Sequence, residues 1–122
     1  QRLHNTAELL SPYYDRLIAP IDALRIVSAD EFAQGAAVVG LEKVAAYDAV
    51  LRYLNSLEYV SVLINTGTID ERVAAKLIRG TVVAAFRTSI EYVMKVRAAT
   101  NNPRLYQELE TLAHRWGGQR DI

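Results

Sequence analysis

The chain has no cysteine, which excludes disulfides, thiolate nucleophiles and cysteine-ligated zinc and fits a reducing cytosol. Net charge is missing too: 14 Lys and Arg balance 14 Asp and Glu, so no overall field draws the chain to nucleic acid or an anionic membrane surface. Histidine is confined to His4 and His114. They stand at opposite ends of the chain, which leaves the Glu110–His114 pair one helical turn apart short of the ligands a metal needs. No apolar run approaches the roughly 20 residues of a spanning helix; stretches 59–64 and 82–86 are short and lie inside amphipathic patterns. No secretory signal is visible. The chain starts at Gln1 rather than Met, which is compatible with an anchor upstream. Phosphate loops, nucleophile elbows and zincin helices do not occur, and Glu108 and Glu110, two apart on a helix, point in different directions. Neither catalysis nor a cofactor is expected.

What is present is helical periodicity. At 122 residues the chain has the size of one domain with a real core. Residues 41–99 read as two long helices joined at Asn65-Thr66-Gly67-Thr68. Before Gly67, positions Tyr47, Val50, Leu54, Leu57, Ser61 and Ile64 recur at three- and four-residue steps; after it, Val73, Leu77, Thr81, Ala84, Thr88 and Tyr92 do the same. That spacing marks one face of a 3.6-residue helix. Gly67 supplies a left-handed residue to end the first helix, and Thr68-Ile69-Asp70-Glu71 reads as a capping box opening the second. The short turn predicts an antiparallel hairpin.

Residues 1–40 read as short covering helices: one from Arg2 to Leu10, one opened by Ser11-Pro12, one after Pro20, and one opened by the Ser28-Ala29-Asp30-Glu31 capping box and closed at Gly40. Either proline could instead kink one continuous helix. Downstream, Asn102-Pro103 predicts the start of a closing helix over 103–116, in which Leu105, Leu109, Leu112 and Trp116 form a row. Residues 119–122 read as a frayed tail. The fold class expected is all-α, a small helical bundle built on the long hairpin.

The second hairpin helix suggests where the chain meets others. It carries a small-residue seam, Gly80, Ala84 and Thr88, and a larger apolar row, Val82, Phe86, Ile90 and Val93. A helix apolar on two sides is central in its domain or covered by a partner. Self-association through Gly80, Val82, Ala84, Phe86, Ile90 and Val93, as a two-fold homodimer, is one expectation; coverage of the same strip by the N-terminal helices is the competing one. Seven tyrosines against two phenylalanines suit half-wet rims and interfaces. Arg72, Lys76, Arg79 and Arg87 form a basic row, read as a solvated face or, alternatively, as an anion or nucleic-acid contact.

The closing stretch Asn102-Pro103-Arg104-Leu105-Tyr106-Gln107-Glu108-Leu109-Glu110-Thr111-Leu112-Ala113-His114-Arg115-Trp116 resembles the end of an uncharacterised bacterial family of unknown function, with the pattern Asn-Pro-x-x-Tyr-x-Glu-x-Glu-x-Leu-Ala-x-x-Trp. The Gly67-Thr68-Ile69-Asp70-Glu71 turn and Arg97 are similar as well, so the resemblance spans about residues 51–116. It implies no activity and no catalytic residues. It does imply a small helical cytoplasmic domain that in many members follows an N-terminal membrane helix. The function expected is a protein-interaction or regulatory module, self-associating, in a bacterial or phage cytosol and tethered, if at all, by a segment absent from this chain. The alternative is a small nucleic-acid-binding helical protein.

Overall fold

The computed structural model describes residues 2–118, with side chains from Asn5 onward; the tail expected at 119–122 and the side chain of His4 lie outside the described residues. Among those residues there are seven α-helices and no strand: α1 (Arg2–Leu10), α2 (Ile21–Ile26), α3 (Ala29–Gln34), α4 (Ala36–Val39), α5 (Val44–Asn65), α6 (Glu71–Thr100) and α7 (Gln107–Gly117). Short 3-10 turns at Ser11–Tyr13 and Asp15–Leu17 stand where a helix opened by Pro12 was expected. The all-α bundle is as the periodicity predicts.

The hinge forms at Gly67, whose φ of 79° is the left-handed conformation a glycine adopts without strain. Its N–H donates to the Ile64 carbonyl at 3.1 Å, and the Ile69 N–H reaches back to Leu63 at 3.0 Å, so the last carbonyls of α5 are satisfied. The start of α6 differs from the expected capping box. Asp70, not Thr68, is the N-cap, its carboxylate accepting from the Val73 N–H at 3.1 Å. Asp70 is itself a strong cap and stands nearer the first turn. Thr68 pairs with the Thr66 hydroxyl instead, and Glu71 turns away toward α7.

The two long helices meet each other sparingly, because α7 lies against both. Contacts give its direction. Glu110, near the start of α7, pairs with Arg97 late in α6, whereas Trp116 at its end reaches Glu71 at the start of α6. Along α5 the order is the same rather than reversed: Asn55 meets Tyr106, Glu58 meets Leu109 and Asn65 meets Arg115. Thus α7 runs parallel to α5 and antiparallel to α6, a wedge between the arms of the hairpin.

That wedge, with α1 and α3, fixes which face of α6 points inward. Ala74, Ile78, Val82, Ala85, Phe86, Ser89 and Val93 are buried. The row read after Gly67 is mostly outside: Leu77, Thr81, Ala84 and Thr88 are exposed, Val73 is half-buried, and only Tyr92 is in the core. On α5 the expected face is buried, apart from a half-buried Tyr47.

Further differences sit at helix ends. The Ser28–Glu31 capping box forms reciprocally, but its helix stops at Gly35, whose φ of 98° breaks the run that was expected to reach Gly40. Asn102 does not cap the closing helix; its side chain accepts from the Arg104 N–H in a turn, and α7 begins only at Gln107, after Tyr106 in a left-handed conformation with φ 59°. The N-terminal layer is tied down by Tyr92, whose hydroxyl sits between the carbonyls of Leu24 and Val27, and by Phe32, edge-on to Tyr92 at 5.8 Å.

Candidate functional site

The residues expected to mediate self-association do not share one surface. Val82, Phe86 and Val93 are core side chains, at most 1 % exposed; Phe86 packs against the His114 ring at 5.8 Å. They lie under α3 and α7 because burying large apolar groups within the chain removes them from water without a partner. Gly80, Ala84 and Ile90 are exposed. The basic row is exposed too, but it is not uniformly free. Arg79 donates from Nε to the Trp116 carbonyl at 2.9 Å, the C-terminal end of α7 attracting a cation. With Arg87 it flanks a notch beside Gly80 and Trp116, while Arg72 and Lys76 lie on the exposed N-terminal half of α6. Glu110 and His114 are 3.8 Å apart, and Arg97 holds the other Glu110 oxygen at 2.9 Å. No group of three metal-ligating side chains occurs among the described residues.

Polar residues of the closing stretch are engaged in seating α7. Tyr106 donates to the Asn55 side chain at 2.9 Å, and burial beside the Glu58 carboxylate and Tyr47 pushes its phenol up to about 12. Glu108 accepts from Asn65 at 2.9 Å. Arg97 donates to both Glu110 and the Leu105 carbonyl. The Trp116 indole N–H donates to Glu71 at 2.8 Å, beside the Arg115 guanidinium, and these bonds, Arg115 foremost, lower the Glu71 carboxyl. Sequence reasoning missed Glu58. Its two oxygens accept the N–H groups of Glu108 and Leu109 at 3.2 and 2.8 Å, so a carboxylate from α5 caps α7, for which Tyr106 provides no side-chain cap. Burial pushes the Glu58 carboxyl up, against the pull of those two hydrogen bonds. The signal was faint: a lone Glu on the apolar side of α5, fifty residues before its partners. This network is structural; its side chains face one another.

Two surfaces remain that face outward. The first is an apolar groove of about 430 Å³ between the segment after α1, α5 and the small-residue face of α6, lined by Tyr14, Ile18, Tyr53, Leu77, Ala84 and Thr88 among others. Buried Leu17, Tyr53, Ile78 and Ala85 lie at its base, the small side chains at 84 and 88 are exposed along it, and Ile18 and Leu77 are 68 % and 46 % exposed. The second is a polar cleft of about 450 Å³ on the other side of the same segment, against α5. No helix among the described residues is long and apolar enough to cross a membrane.

Residues 5–116 match the model of a family described as a domain of unknown function, DUF4760. No curated protein and no solved structure matches the chain.

Proposed function

The chain belongs to the DUF4760 family, whose description assigns no activity, and we propose that it is a protein-interaction module that self-associates through the exposed small-residue face of α6. The observation carrying this reading is the apolar groove beside that face, with Ile18 and Leu77 unburied on its rim and the small side chains of Ala84 and Thr88 exposed along it. Small residues at four-residue spacing let a second helix approach closely. A two-fold pairing hides the same strip on both copies. If two α6 helices cross antiparallel about Ala84, Lys76 of one lies near Glu91 of the other, roughly two turns either side of the axis, so charge favours the pairing at the flanks.

Sedimentation equilibrium over the micromolar range tests this. The expected result is a mass that rises with concentration toward a dimer, and a return to monomer in Ala84→Arg at an unchanged thermal midpoint. A monomeric mass at every concentration overturns the reading. Phe86→Glu does not serve, since Phe86 is in the core and its loss would unfold the chain.

A further inference from the structure

Below the 3-10 turns that follow α1, successive turns of α5 present Asp48, Arg52, Asn55 and Tyr59 to the polar cleft, and Tyr13 and Arg16 form the opposite wall. Arg16 and Arg52 line both this cleft and the smaller one next to it, which Asp15 also lines. Lys43, Lys95, Arg97 and Arg115 each hold a carboxylate within 4 Å; Arg16 and Arg52 hold none among the described residues. Arg16 is nonetheless placed, its guanidinium carbon 5.8 Å from the centre of the Tyr13 ring. Asn55 is placed as well. Its oxygen accepts from the Tyr106 hydroxyl, which leaves its amide N–H groups as the donors available to the cleft. The Tyr13 and Tyr59 rings stand 5.6 Å apart at a tilt of 45°, and burial, with the neighbouring Tyr59 phenol, pushes the Tyr13 phenol up.

We infer that this cleft binds a small organic oxyanion, a flat ring bearing a single phosphate or carboxylate, with the anion between Arg16 and Arg52 and the ring against Tyr59. Two unpaired guanidinium groups suit the planar, bidentate geometry of such anions. Asn55 and the tyrosine hydroxyls supply further donors, and the volume lies within the range of roughly 300–1,000 Å³ that ligand pockets occupy. Asp48 sets the limit on size. It stands one turn before Arg52, at the opposite end of the α5 wall from Tyr59, and bounds the Arg16–Arg52 end with a like charge, so the cleft has room for one anion and not for a polyanion extended past Arg52. Nucleic acid is disfavoured there for that reason.

Titration of the whole chain with phenyl phosphate, benzoate and inorganic phosphate, followed by amide chemical-shift mapping and calorimetry, tests the inference. Saturable binding of phenyl phosphate or benzoate is expected, with shifts confined to residues around 13–16 and 52–59. The stronger of the two identifies the anion. Inorganic phosphate, lacking the ring, should bind several-fold more weakly, and Arg16→Gln with Arg52→Gln should weaken the ring compounds by about tenfold or more at an unchanged thermal midpoint. No saturation by either ring compound, shifts elsewhere, or undiminished binding in the double variant would each overturn it. A failure here leaves self-association untouched, because the apolar groove lies on the other side of the 3-10 segment.

Discussion

At position 58 a single carboxylate does the work that a cap residue does elsewhere. Most helices are capped by their own preceding residue; α7 is preceded by Tyr106, left-handed and without a cap bond, and Glu58 supplies the acceptors from another helix. Removing it leaves two N–H groups unpaired in a partly buried place. Glu58→Ala should therefore lower the unfolding free energy by about 1–2 kcal/mol, with Glu58→Gln losing less because one oxygen acceptor survives. Denaturant titration of the two variants checks the order; a silent Glu58→Ala would mean that water caps α7 equally well. The residue was not legible in advance. A Glu at the edge of an apolar helix face looks like any solvated charge until the helix it caps is in place.

Among the elements, α7 shows what periodicity conveys and what it leaves out. Of the row Leu105, Leu109, Leu112 and Trp116, readable at steps of three and four, the last three are buried, while Leu105 is half-buried and precedes α7. Truncating Trp116 to Ala should cost about 3–5 kcal/mol, whereas Trp116→Phe, which keeps a ring and loses the bond to Glu71, should cost about 1–2 kcal/mol. Equal midpoints for Trp116→Ala and the parent in urea would remove α7 from the core. On α6 the same reasoning found two apolar faces and did not say which is covered. Leu77, Thr81, Ala84 and Thr88 and the buried Val82, Phe86 and Val93 both recur at helical steps, and neither row carries a charge. Periodicity says that a face exists; the neighbours decide which one is covered. Cap chemistry was ambiguous in the same way at the hinge, where Thr68 and Asp70 both qualify and the chain uses Asp70. At Ser28-Ala29-Asp30-Glu31 the same pattern resolves the other way: Ser28, not Asp30, is the cap, and the box forms.

For the molecule as a whole, acid should act through the carboxylates that hold helices together. The Arg115 and Trp116 bonds keep Glu71 below its ordinary value of 4.5, and the Lys43 bond does the same for Glu31. A folded value below the unfolded one means that the native chain binds fewer protons in this window. The stabilisation is therefore complete above 4.5 and is lost as pH falls through the folded value. Unfolding free energies measured from pH 6 downward, a range of roughly three units, should decline more steeply in the parent than in Glu71→Gln, with the curves converging at the acid end. Parallel curves would mean that the Glu71 pairing has no thermodynamic weight. The small-residue seam on the α6 side of the apolar groove was visible in the sequence, but its other wall and the whole Arg16–Arg52 cleft depend on the segment after α1 packing on α5, more than thirty residues away, and were not.

The wedge also sets the order in which the chain can acquire structure. Because α5 and α6 touch each other little except through α7, the two arms have few contacts with one another to form before residues 107–117 leave the ribosome, although α2 and α3 already lie against them. Contacts that join distant parts of a chain carry their loop-closure cost in full before they return any stability, and they slow folding. Part of them, the contacts of both arms with α7, can form only once that last element has been made. A nascent or prematurely terminated chain lacking α7 would leave bare the strips of α5 and α6 that α7 covers, the kind of surface that chaperones and proteases recognise. Quality control is thereby linked to the arrival of one short helix.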